Sequence, residues 1–161
     1  MNTEASVVRS NLESKISEAY VKYGLAYDGP PRHLDTEEKM YRISCMREEI
    51  EEYNEADTLT DQYDALIDLL VFAVGTLYRH GFPLQEGFDA VMKANLSKVP
   101  GNNPHKQDKA RAEYTGVDLV KPEGWTPPED DLTAILVQHS AWKKSSEFQR
   151  SITNPIAMPN V

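Results

Sequence analysis

Positive charge is scarce in this chain: 17 Lys and Arg stand against 26 Asp and Glu, a formal net charge of −9. A footprint for DNA or RNA needs the opposite balance, so a nucleic-acid polymer is not an expected partner. Cysteine is almost absent. Cys45 stands alone, which excludes an intramolecular disulfide and fits a reducing, cytoplasmic setting. It sits among Ile43 and Met46 and is expected to be a small packed side chain. Long apolar runs are missing too. The longest, near Leu66 to Val74, is about half the roughly twenty residues that a membrane helix requires, and Asp68 interrupts it. Met1-Asn2-Thr3-Glu4 carries no charged-then-apolar signal pattern, so neither a membrane nor export is expected.

Other absences narrow the chemistry. No Gly-x-x-x-x-Gly-Lys phosphate loop occurs. No Glu-x-x-His occurs, which removes the histidines of a di-iron carboxylate bundle. His33, His80, His105 and His139 are scattered and read as surface or loop residues. Arg47 to Glu52 superficially matches a Nudix helix, but Glu49 fills its apolar slot and Asn54 its glycine slot.

What is present is helical. Apolar residues recur at spacings of three and four over 4–24, at Leu12, Ile16, Ala19, Tyr20 and Tyr23, with Gly24 as the stop. Tyr27 to His33 reads as a rigid proline-containing loop. Asp35 or Thr36 then caps a helix reaching about Asp57, with Met40, Ile43, Met46 and Ile50 on its apolar side. A link at 58–60, with Thr60 as the cap, leads to a helix over 61–80, expected to be the central and most buried one. A fourth helix spans 84–98. A polar loop fills 105–128, and a last helix starts at Glu129. The reading is all-α: a four- to five-helix bundle forming one domain over 1–150, with 151–161 an extended tail.

Two acidic clusters dominate this frame. Glu48, Glu49 and Glu52 share a helix face; Asp61, Asp64 and Asp68 form a stripe on the next helix. Asp68 lies within the most hydrophobic segment, with no Lys or Arg within a helical turn. A desolvated carboxylate needs a counter-charge, and carboxylates facing carboxylates call for a divalent cation. All-oxygen ligation suits Mg²⁺, which keeps substrate phosphates in its shell. Taken singly, the first cluster also reads as a solvated helix face, and Asp68 as a hydrogen-bonded buried acid.

Glu48-Glu49-x-x-Glu52, Asp64-Ala-Leu-Ile-Asp68-Leu-Leu-Val-Phe-Ala-Val-Gly75-Thr76 and Asn95-Leu-Ser97-Lys98 together resemble the MazG-like all-α nucleoside triphosphate pyrophosphohydrolases. Within them the resemblance is to the phosphoribosyl-ATP pyrophosphohydrolase-like branch found in bacteria and phages, and Asp118 to Pro128 resembles that branch's lysine-then-proline ending. It covers roughly 36–130. It implies a MazG-like bundle that splits a nucleoside triphosphate into monophosphate and pyrophosphate with Mg²⁺ or Mn²⁺. A small bundle with so apolar a central helix needs cover, which predicts a homodimer or homotetramer with the site near a subunit interface. Carried over by position, Glu49, Glu52 and Asp68 would be metal ligands, and Glu48 a further ligand or the group polarising the water. Asn95, Lys98 and Lys121 would meet the substrate. The commoner pattern has Glu where this chain has Ala65; Asp64 is the candidate to replace it as a ligand. Phosphoribosyl-ATP hydrolysis and a non-catalytic helical interaction module are the alternatives. Lys98 also reads as a lysine at a helix C-terminus. Lys106, Lys109 and Arg111 are further phosphate contacts to consider, and Trp125 is expected in the core, the alternative being stacking on a base.

Overall fold

A computed structural model describes residues 3–101, 113 and 116–153 of the chain. The fold is all-α. Its helices are α1 (Thr3–Lys22), α2 (Thr36–Glu55), α3 (Leu59–His80), α4 (Leu84–Leu96) and α5 (Glu129–Thr153). The only strands among the described residues are β1 (Val99–Pro100) and β2 (Leu119–Val120), paired antiparallel with Val99 opposite Val120. The last helix runs three residues into the span expected to be an extended tail. The rest of that tail, along with His105, Lys106, Lys109 and Arg111, lies outside the described residues. Among the described residues no single helix is long and apolar enough to cross a membrane.

The described residues fall into two compact units. One runs to Gln85 and includes the chain from Leu136 onward; the other is Glu86–Ile135. In the first, α2 and α3 form an antiparallel hairpin across the short link Ala56–Thr58, and α1 packs on α3.

Local chemistry sets the ends of these helices. Asp35 caps α2, its Oδ1 accepting from Glu38 N–H at 2.8 Å. The α3 cap is Thr58 rather than Thr60: its Oγ1 accepts from Asp61 N–H at 3.1 Å and donates to Asp61 Oδ2 at 2.6 Å. The Asp61 side chain is thereby engaged at the helix end. Both α1 and α3 stop on a glycine in the left-handed region, Gly24 at φ 72° and Gly81 at φ 70°. In each case the following N–H reaches back five residues: Leu25 to Tyr20 O at 2.7 Å, Phe82 to Leu77 O at 3.0 Å. This is the double closure that lets glycine end a helix.

The loop after α1 is stapled to the end of α3. Arg32 N–H donates to His80 O at 2.9 Å and Arg32 Nε to Arg79 O at 3.2 Å. The Arg32 guanidinium also lies 3.9 Å from the Tyr27 ring centroid. Lys143 of α5, which is buried, is ion-paired with Asp28 of the same loop.

The buried apolar residues are few and mostly small: Ile16, Cys45, Ala65 and Val74 in the first unit, Ala90 and Ala94 in the second; no large side chain is fully enclosed among the described residues. Cys45 is thus packed, as its setting implies. The α3 helix is less covered than its composition predicts, with Leu66, Ile67, Leu70 and Val71 exposed. The expected apolar stripe of α2 is open at its two ends, where Met40 and Ile50 are each more than half exposed, while Ile43 and Met46 between them are half-buried. What α2 buries instead is Arg42, Cys45 and Glu49, residues on one face at spacings of three and four.

Candidate active site

Of the acids in the two clusters, the structure buries Glu49 and not Asp68. Glu49 is 7 % exposed, whereas Asp68 faces solvent with Glu48, Glu52 and Asp64. The desolvated charge expected at Asp68 on α3 lies instead on α2, at Glu49. Asp68 follows the polar side of an otherwise apolar segment, while Glu49 lies on the seam that α2 presents to α3.

The Glu49 carboxyl titrates above its usual range, first because burial disfavours its charge, then because Glu52, Asp68, Glu48 and Asp64 all repel it. Acids from both arms of the hairpin therefore act on one buried carboxyl. Asp61, tied to Thr58, takes no part. Glu49 Oε2 is buried and has no hydrogen-bond partner. Among the described residues none of these acids is in an ion pair with Lys or Arg. A buried, unsatisfied carboxylate oxygen in a field of four further acids is costly by itself and fits a cation partner. The donors are all carboxylate oxygens, the chemistry that hard ions such as Mg²⁺ prefer. In this arrangement no three Asp, Glu, His or Cys side chains among the described residues stand close enough to hold one ion. The exposed four spread toward water, as mutually repelling acids do.

Ala65 is 2 % exposed, the most buried of the core residues. A carboxylate at that position would be stranded in the α2–α3 interface. Asp64, one residue earlier and exposed, keeps an acid on this part of the helix without that burial.

Three helical turns away on the same hairpin sits an arrangement that the sequence reading missed. Glu38 is ion-paired with both Arg42 and Arg79. Arg42, 4 % exposed, also donates from Nη1 to the Tyr20 hydroxyl at 2.9 Å. The two guanidiniums, Arg79 foremost, pull the Glu38 carboxyl down to about 2. The Glu38-to-Arg42 spacing of four was the available signal; Arg79 was not visible without the hairpin register.

In the second unit, the sequence-predicted substrate residues Asn95, Lys98 and Lys121 gather near Trp125. Lys98 Nζ donates to Asn95 Oδ1 at 2.8 Å. The ammoniums of Lys121 and Lys98 lie 4.3 and 5.8 Å from the Trp125 ring centroid. Trp125 is half-buried, and its Nε1 donates to Ala94 O at 2.8 Å, so it is a partly covered anchor rather than an enclosed core residue. Among the described residues the histidines form no cluster. His80 stacks on Phe82 with centroids 4.5 Å apart, and His139 lies beside Trp142.

Residues 27–95 match the family model of phosphoribosyl-ATP pyrophosphohydrolase. Over that segment the chain is similar to the phosphoribosyl-ATP pyrophosphohydrolase family. The family is a branch of the MazG-like all-α nucleoside triphosphate pyrophosphohydrolases, as the paired acidic motifs implied. No curated protein matches the chain. The match over residues 27–95 indicates a pyrophosphohydrolase, an enzyme that hydrolyses an acid anhydride. The matched segment contains the whole α2–α3 hairpin and both acidic clusters, and it ends at Asn95, before Lys98, Lys121 and Trp125.

Proposed function

We propose that the protein is a Mg²⁺-dependent pyrophosphohydrolase of a (deoxy)nucleoside triphosphate, acting in nucleotide-pool control in the cytoplasm. The observation that carries this reading is the buried, unpartnered Oε2 of Glu49 with four acids from α2 and α3 around it. Glu49, Glu52, Asp64 and Asp68 would hold Mg²⁺, with Mn²⁺ able to substitute. Bound there, the ion would acidify a water and offset charge on phosphate oxygens. Glu48, exposed at the edge of the set, would accept the proton of the attacking water or serve as a further ligand. The water oxygen bonds to phosphorus, the anhydride bond between the α- and β-phosphates breaks, and monophosphate, pyrophosphate and a proton leave. Asn95, Lys98 and Lys121 would contact the substrate through neutral and cationic donors.

The family match favours a second substrate of the same chemistry, phosphoribosyl-ATP, whose anhydride would be cut in the same way. The deciding experiment presents the eight standard nucleotides and phosphoribosyl-ATP separately, with Mg²⁺ or Mn²⁺, and measures pyrophosphate. Release from a nucleoside triphosphate supports the first reading; release only from phosphoribosyl-ATP replaces it with the second. No release from any of them would leave the acidic hairpin as a non-catalytic interaction module.

The thin core and the exposed aliphatic residues of α3 support a homodimer or homotetramer, in which a second copy covers Leu66, Ile67, Leu70 and Val71. Neither a nucleic-acid polymer nor a membrane is part of the proposal.

A further inference from the structure

We infer that Arg79 is a positioning residue for the acidic site: it fixes the rotation of α3 about its own axis, and so keeps Asp68 on the side of that helix that meets Glu49. That these acids ligate a metal rests on the function proposed above; the control of rotation does not. The need for such a residue lies in α3 itself. From Leu66 to Val74 every residue but Asp68 is apolar, and Leu66, Ile67, Leu70 and Val71 are exposed while Val74 is buried. A helix apolar over most of its circumference can turn more than one face to its neighbour. The acids add a bias of the wrong sign, because Asp68 repels Glu49 and gains by rotating away from it.

The spacing of residues shows what holds the rotation. Glu38, Arg42, Cys45 and Glu49 follow one another on α2 at intervals of four, three and four; Asp68, Phe72, Gly75 and Arg79 do the same on α3. Run antiparallel, the two rows set Glu38 against Arg79, Arg42 against Gly75, Cys45 against Phe72 and Glu49 against Asp68. Interactions along the row agree. Glu38 and Arg79 are ion-paired. The Tyr20 hydroxyl accepts from Arg42 Nη1 at 2.9 Å, and a Cβ on Gly75 would collide with that same hydroxyl. Asp68 is among the acids that act on Glu49. Positions 68 and 79 are close to three whole turns apart, so the face that Arg79 turns to Glu38 is the face that carries Asp68.

Arg79 acts through this pairing rather than on a substrate. Its side chain is 15 % exposed, and all three guanidinium nitrogens are engaged: Nε and Nη2 donate to Glu38 Oε1 and Oε2 at 2.6 and 3.0 Å, and Nη1 donates to Leu25 O. Two parallel bonds between planar groups resist twisting, which a single ammonium contact does not. A largely buried ion pair adds little stability over apolar residues of the same volume, and selecting one arrangement among several is its best-attested use.

The test reads rotation and metal separately. Nitroxides at Ser44 and Val71, in a chain carrying Cys45→Ala and diluted with unlabelled protein, report the α2–α3 distance by double electron–electron resonance in EDTA. One narrow distance is expected while Arg79 is present. Arg79→Ala should broaden the distribution about twofold, and Arg79→Lys less. In the unlabelled chain, Mn²⁺ titration followed by electron paramagnetic resonance should show affinity weakened about tenfold by Arg79→Ala and partly recovered in Arg79→Lys. Ile16→Ala is the control: it removes a buried side chain of α1 but leaves the α2–α3 rows intact, so its Mn²⁺ affinity should stay within about twofold of wild type. Circular dichroism confirms that each variant is folded, and Arg79→Lys serves if the alanine variant is not. An unchanged distance distribution without Arg79 overturns the inference. So does an equal loss of Mn²⁺ affinity in Ile16→Ala and the Arg79 variants. If wild type binds no Mn²⁺ yet the distribution broadens without Arg79, the positioning role stands and the metal assignment fails.

Discussion

Glu38 accepts two hydrogen bonds from Arg79, at 2.6 and 3.0 Å, and this fork fixes the register of α3 against α2. Eleven residues, about three helical turns, lead from Glu38 to Glu49 on α2 and back from Arg79 to Asp68 on α3. One antiparallel seam thus carries two equivalent stations. At one the acid meets arginines; at the other an acid meets acids.

Breaking the first station should be expensive. Glu38→Gln leaves Arg42, which is buried, without its carboxylate, and should cost about 3 kcal/mol in urea denaturation at pH 7. The loss should depend on pH. Because the folded-state value of Glu38 is lowered from 4.5 to about 2, its contribution is complete above 4.5 and declines as pH falls toward 2. The gap between wild type and variant should therefore narrow by about half between pH 7 and pH 3. An equal gap at both pH values would show that the ion pair is not its source.

At the second station the sign reverses. Glu49→Gln removes a buried charge that its neighbours oppose, so the variant should be about 1 kcal/mol more stable than wild type in EDTA. Thermal denaturation with and without Mg²⁺ checks the counterpart: the ion should raise the Tm of wild type and leave that of the variant unmoved. A variant less stable than wild type in EDTA would mean that Glu49 has a partner within the chain.

Glu52→Ala and Asp68→Ala change exposed side chains and should leave the far-ultraviolet circular dichroism spectrum intact. Each should nonetheless lower pyrophosphate release by roughly a hundredfold or more if it ligates the metal. Full activity in both would move the metal site elsewhere.

Gly75 is a packing requirement. A Cβ built there would lie 2.0 Å from the Tyr20 hydroxyl, the same hydroxyl that accepts from Arg42. Gly75→Ala should cost about 1–3 kcal/mol by displacing Tyr20. Chemical denaturation measures it, and a neutral result would show that Tyr20 moves aside freely.

Light scattering should find the chain larger than its 18.2 kDa monomer mass at micromolar concentration. Leu70→Glu, on the exposed part of α3, should shift it toward the monomer. A monomeric wild type would leave that face without the partner proposed for it.

Much of the fold was legible because its signals are local. Gly24 and Asp35 each act within a turn of their own position, and each ends or starts a helix as read. Thr60 lost to Thr58 because two hydroxyls compete for one cap, and only the geometry shows which reaches Asp61. Helical periodicity also grouped the acids that act on Glu49. What it could not do was rank them by burial. Hydrophobic neighbours in sequence made Asp68 look enclosed, yet neighbours on α3 are not neighbours across the seam. Glu49 and Arg42 are buried through contacts with other helices, and charged residues in an interface break the pattern by which sequence reveals a core.

The repeat along the seam makes inactivation and reinforcement the same event. Asp68→Arg would copy the upper clasp onto the lower one, satisfying Glu49 with a guanidinium held by the protein itself. On the metal site proposed above, the hairpin would gain a second rivet and lose its reason to recruit an ion, so a tougher scaffold and a silent catalyst would lie one side chain apart.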